Sequence, residues 1–136
     1  AAWYRAESVD GSEIALAAHL AAAVGLVLPG LEGGWRSVAA ASAELDGRSE
    51  PRLLLVSDDL PALTGTPAEA ARERFLDYTP PTLAVAAGTR LLPPCNLSRR
   101  RVSGELLELS GDDLRFRSWE VERLFRDFYG EALRPD

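Results

Sequence analysis

Residues 53–59 read Leu53-Leu54-Leu55-Val56-Ser57-Asp58-Asp59, four apolar residues running into two adjacent carboxylates. A run this short, with Pro51 before it and Pro61 after it, predicts a strand buried on both faces rather than a helix. The acids then lie at its carboxyl end. In an open parallel sheet that is the edge where ligands bind, so paired carboxylates there are placed to hold a divalent cation or polarise a water. The same two residues also suit an ordinary turn, because Asp favours turns and helix starts. Their neighbours have to decide between the two readings.

Working outward, the loop after Asp59 leads to Pro67, a good first-turn proline behind Thr66, and a helix is predicted over 67–78. Ala71, Phe75 and Tyr78 form its apolar side, and Pro80-Pro81 ends it. Residues 82–87 then read as a second buried strand, and Arg90 follows its carboxyl end. Upstream, 2–6 predicts a short strand, 7–11 a turn, and Ser12 the N-cap of a helix running from Ile14 to Leu28, stopped by Pro29-Gly30. A second short helix is expected over 35–45, with Trp35, Val38 and Leu45 available to pack, and a polar turn over 46–51. Downstream, 91–98 is irregular and 104–109 is a third candidate strand. Ser118 is the expected N-cap of a final helix with Glu120 and Glu122 in its first turn. Val121, Leu124, Phe125 and Phe128 repeat at i, i+3, i+4 and i+7, so one face is apolar and expected to dock.

Strand, helix, acid-ended strand, helix and strand is an α/β succession. With 136 residues and 46% hydrophobic content, a single domain over 1–136 is expected, with one core. The apolar stretch 14–28 is broken by His19, Gly25 and six alanines and is too short and too weakly lipophilic to span a membrane. No basic segment precedes it, so a secretory signal is not expected, and the absence of an initial Met points to an excised piece. The single Cys95 excludes an internal disulfide and, with the single His19, gives no metal cluster. A reducing, cytoplasmic setting follows. A formal charge of −6 opposes direct binding to a nucleic-acid backbone. All 15 basic residues are Arg. With no Lys, no G-x-x-x-x-G-K-[ST] phosphate loop exists in this chain.

Other candidates have plain readings beside their functional ones. Arg99-Arg100-Arg101 suits a solvated loop or an acidic-partner patch. Asp112 and Asp113 read as turn residues, His19 as structural or exposed, and Cys95 as lacking a local base that would make it a nucleophile.

Several segments together resemble one family. Residues 3–8 look like the second-strand segment, 53–59 like the Walker B strand and 80–90 like the sensor-1 strand of a signal-transducing (STAND-type) P-loop ATPase. The tail, 104–109 followed by 112–116 and a helix with an acidic start, is similar to the stretch after sensor 1 in MalT-like, LuxR-family ATP-dependent transcriptional regulators. The resemblance covers most of the chain, least over 26–52, and departs at Leu60-Pro61, where the family carries an aromatic residue and a His.

The resemblance implies a partial parallel sheet of a three-layer α/β/α P-loop NTPase whose P-loop strand is missing, with 110–136 leading into a lid or helical region. Asp58 would hold Mg2+ through water, Asp59 would orient the hydrolytic water, and Arg90 would sense the γ-phosphate. Mg2+ and ATP are then cofactors of the intact parent protein, ATP being held through the missing upstream segment, and this chain alone is expected to bind neither tightly. DNA would be contacted by a separate domain. Strand edges left without the P-loop strand invite self-association. Two other readings stay open: a non-enzymatic α/β interaction module docking through its last helix, and a small Mg2+-dependent or receiver-like domain built on Asp58 and Asp59.

Overall fold

The computed structural model describes residues 1–48, 52–93 and 95–130. They fall into two units, 1–95 and 96–136. The first holds three parallel strands, β1 (Ala2–Arg5), β2 (Leu53–Asp58) and β3 (Leu83–Ala87), in the order β1-β2-β3. Ala2 to Arg5 stand opposite Leu55 to Asp58, and Leu53 to Ser57 stand opposite Leu83 to Ala87. All three strands therefore end on the same side.

Three helices supply the core. In α1 (Glu13–Gly25), Ser12 Oγ accepts from the Ala15 N–H at 3.2 Å, and Leu16, Leu20 and Val24 come round on one buried face. The helix stops before the Pro29-Gly30 breaker. Helix α2 (Val38–Asp46) starts later than expected because Ser37 caps it through the Ala40 N–H. Trp35 is still buried, but from the preceding loop: its Nε1 donates to Glu44 Oε2 at 2.6 Å, while the Glu32 N–H donates to Glu44 Oε1. Burial works against the Glu44 charge, but these donors and Arg48 hold its carboxyl below the usual range. Helix α3 (Pro67–Asp77) contributes Ala68, Ala71 and Phe75. The Thr66 hydroxyl does not cap it and donates instead to the Leu63 carbonyl. Glu13 ties the helices together, accepting from the Val38 N–H and pairing with Arg74 at 2.7 Å.

The core lies against one sheet face, carried by Ala2, Tyr4, Leu53, Leu55 and Leu83. Alternate residues point away from it, and Trp3 is 65% and Leu54 41% exposed. Strand β2 is thus buried on one face, where the apolar run predicted two. An unbroken run cannot report this, because it looks the same whichever of its two residue sets is covered.

The second unit contains α4 (Leu97–Val102) and α5 (Ser118–Tyr129). Residues 104–109, expected as a strand, form no regular element. A strand exists through its ladder, and here the acids of this segment pair locally instead. Arg101 binds Glu108 at 2.7 Å, and Arg100 approaches Glu105 at 3.9 Å. Ser118 is the first residue of α5 rather than its cap, and the Arg117 N–H donates to Glu120. The apolar face of α5 is present and only partly covered: Val121 and Phe125 are half-buried, while Phe128 is 78% exposed. Part of the predicted 46–51 turn and the last six residues lie outside the described residues. Among those described, no helix is long and apolar enough to cross a membrane.

Candidate functional site at the carboxyl edge of the sheet

Parallel pairing gathers three segment ends on one edge: Arg5 and Ala6 after β1, Asp58 and Asp59 at the end of β2, and Gly88 to Arg90 after β3. The edge is laced by backbone bonds, Ala6 N–H to the Asp58 carbonyl at 3.0 Å and Gly88 N–H to the Ser57 carbonyl at 2.8 Å. Register then sets the charges, since Arg5 stands opposite Asp58.

Asp58 Oδ1 accepts the Asp59 N–H at 2.9 Å. It also occupies the space a side chain at position 88 would need, because a Cβ on Gly88 would lie 2.9 Å from it. That missing Cβ forms a cradle for the carboxylate, whose second oxygen has no partner among the described residues. Such an oxygen suits a hydrated divalent cation, because Mg2+ keeps several waters and takes only one or two carboxylates from the protein.

Asp59 differs from its neighbour in every respect. Its backbone is left-handed, φ 54°, and no other described non-glycine residue has a positive φ. Asp tolerates that region better than most residues. Its Oδ2 takes both Arg5 Nε and Nη2 at 2.7 Å, and the pairing raises the Arg5 pKa further. The two carboxylates proposed from sequence thus divide, one open and one held by a cation that the sequence did not flag. Arg90 is exposed and has no hydrogen bond or ion pair with a described residue. No group of three or more His, Cys, Asp or Glu among the described residues is arranged as a metal cluster.

Behind this edge lies an unforeseen polar network. Asp10 is fully buried and accepts from Tyr4 Oη and the Glu7 N–H, both at 2.9 Å, and its other oxygen meets His19 Nδ1. Burial, then the hydrogen bond to Asp10, pushes the Tyr4 phenol above the ordinary tyrosine range. The available signal was Tyr4 at an inward position of β1, since a buried phenol needs a partner. Leu60, where the resembled family carries an aromatic residue, is buried as the first residue of a 3-10 turn, Leu60–Leu63, with Pro61 second. Elsewhere, Arg99-Arg100-Arg101 sit in α4 rather than in a loop. Asp113 accepts from the Ser110 N–H and hydroxyl, which suits its turn reading and lowers its pKa.

A three-stranded parallel sheet with a carboxylate pair closing its middle strand, packed against helices, defines an α/β fold. No family model matches the chain. Among curated proteins it is similar to the HTH-type transcriptional regulator MalT of Yersinia enterocolitica serotype O:8 / biotype 1B, 28% identical over 135 aligned positions covering 90% of this chain and 15% of that protein. Similarity to the MalT of Serratia proteamaculans is 29% over 136 positions, with the same coverage. The chain spans about 15% of the length of the curated relatives it matches.

Proposed function

We propose that this chain is the acid-bearing part of an ATP-binding, signal-transducing switch in a bacterial transcriptional regulator and works within a longer protein. The observation that carries the proposal is the alignment with MalT over 90% of the chain. The edge geometry is compatible with it. Asp58, cradled at Gly88 with one oxygen unengaged, would hold a hydrated Mg2+. Asp59, steadied by Arg5, would orient a water, and Arg90, which has no ion pair with a described residue, would meet a γ-phosphate. Phosphoryl transfer depends on such positioning and charge neutralisation. Among the described residues β3 has one neighbour, so its open edge would receive a P-loop strand supplied from outside these residues, and that segment would hold the ATP phosphates. DNA would be bound by another domain. Alone, this chain is expected to bind Mg2+ and ATP weakly, to turn nothing over, and to self-associate through the open edge.

The test is ATP turnover in a longer chain that carries a phosphate-binding loop ahead of Ala1. Asp59→Gly keeps the left-handed backbone while deleting the carboxylate, and turnover should fall roughly 100-fold or more. Unchanged turnover would remove Asp59 from the chemistry. A second reading, docking of a partner through α5, is favoured by the exposed Phe128 and Leu124 on its apolar face. It predicts that Phe128→Ser abolishes partner capture and leaves nucleotide binding intact.

A further inference from the structure

The sheet has a second face, which the helices of the first unit leave open. Up to Arg5 and Asp58 at its carboxyl end, that face is made by Trp3 of β1, Leu54 and Val56 of β2, and Ala84 and Ala86 of β3. Register sets them in rows, because Trp3 stands opposite Val56, Val56 opposite Ala86, and Leu54 opposite Ala84. All five are apolar. Trp3 is 65% and Leu54 41% exposed, both alanines are exposed, and Val56 is half-buried. An antiparallel sheet can leave one face to water behind polar side chains, but a parallel sheet is found with both faces covered.

Chain handedness says what the cover is. The order β1-β2-β3 makes both crossovers step the same way across the sheet. Right-handed crossovers in one direction put their helices on one side, and α1, α2 and α3 do share one core against one face. The opposite face is reached only by a crossover that steps back, from beyond β3 toward β1. The strand proposed above for the open edge of β3 precedes Ala1 in the longer protein, so its link to β1 takes that backward step over the open face.

Side-chain size then seats the helix. Bulk falls along one row from Trp3 through Val56 to Ala86, so the alanines admit a close approach over β2 and β3 while Trp3 walls the β1 side. Strands of five and six residues are about 20 Å long, a length that about 12 helical residues cover.

We infer that the Trp3, Leu54 and Ala84 face is the seat of an amphipathic helix of the same polypeptide, from the segment that joins the outer strand to β1. The inference rests on the strand addition proposed above and adds the occupant of the second face. That helix presents an apolar stripe at i, i+3, i+4 and i+7 to the sheet.

The test is cysteine labelling in the longer protein, without nucleotide. Leu54→Cys and Ala84→Cys should react with iodoacetamide at least about tenfold more slowly than Ala39→Cys, an exposed position of α2, because a covered thiol reacts only on local opening. Photoreactive benzoylphenylalanine in place of Trp3 should cross-link within one chain, to the segment ahead of Ala1. Equal labelling at the three positions overturns the inference. So does a cross-link to a second copy, which would make the face a dimer interface, or to any other part of the chain. Both readouts are independent of ATP. Protection in a protein that ignores Mg-ATP upholds the helix and removes the nucleotide reading, while Mg-ATP binding with an unprotected face overturns the helix alone.

Discussion

Replacing Asp10 by alanine removes the acceptor on which the polar interior of the first unit converges. Three donors lose it: Tyr4 Oη, the Glu7 N–H and His19 Nδ1. Tyr4 is buried, so its orphaned hydroxyl costs about 1–3 kcal/mol. Glu7 is exposed, so water replaces most of its bond, at a cost of about 1 kcal/mol. His19 is half-exposed, and losing its charged partner adds about 0.5–1 kcal/mol. Relief of the buried carboxylate's desolvation offsets part of this, leaving a net loss of about 3 kcal/mol, at the low end for breaking a buried charged interaction. A domain of this size has only about 5–14 kcal/mol of stability in total, so the effect should be plain. The assay is urea unfolding followed by the fluorescence of the buried Trp35. The midpoint should fall by about 2 M with an unchanged slope. Asp10→Asn, which keeps one acceptor oxygen for Tyr4, should lose about half as much. A loss below about 1 kcal/mol for Asp10→Ala would mean that solvent already satisfies those donors and that Asp10 does not hold the interior together.

Other outcomes follow from the same geometry. The Tyr4 phenol is raised in the folded state, so its contribution to stability is complete below the ordinary tyrosine pKa of about 10 and is lost as the pH climbs above it, by about 1.4 kcal/mol per pH unit. Melting temperatures between about pH 9 and 11 should show this decline in the wild type and its absence in Tyr4→Phe. Gly88→Ala places a Cβ against Asp58 Oδ1, and the short side chain can swing away. Stability should change by less than about 1 kcal/mol, while amide exchange at Asp59 quickens as its bond to Oδ1 is lost. Asp59→Ala forces a residue without a local hydrogen-bonding side chain into the left-handed region and should cost about 1–2 kcal/mol. Asp59→Gly should cost less by denaturant unfolding, and equal losses would mean that backbone strain is not what Asp59 accommodates. Glu44→Gln leaves one acceptor oxygen for the two donors, Trp35 Nε1 and the Glu32 N–H, so one of them faces an amide NH2 and the loop around Trp35 should loosen, seen as a red shift of its emission.

The elements that could be read in the sequence are those whose evidence is local. Leu53 to Asp58 announced a strand by length and flanking prolines, and the stretch from Ile14 a helix by its Ser12 cap and its Pro29-Gly30 stop. The α/β class follows from their order. What escaped notice depends on residues distant in the chain. Arg5 meets Asp59 across 54 positions, through a register that only the assembled sheet defines. Asp10 looked like a turn residue because turns and buried acceptors use the same side chain. Leu54 and Leu55 are indistinguishable in sequence, yet one faces the core and the other solvent. Gly104 to Leu109 is a short apolar-rich run like a strand, but its glutamates find arginines in α4 and it forms no ladder. Arg72 lies outside the apolar side expected of its helix, yet the burial of α3 reaches round to it.

The account turns on whether Asp58 and Arg90 belong to a nucleotide site. The direct measurement is calorimetric titration of Mg-ATP into a chain extended upstream of Ala1 through a phosphate-binding loop, compared with its Asp58→Ala and Arg90→Ala variants and with the 136-residue chain. Binding should appear on extension, at least tenfold weaker in either variant, with little or none in the shorter chain. Binding that is indifferent to both substitutions, or an extended chain that ignores Mg-ATP, would contradict it and leave the acid pair as a turn at the end of a strand.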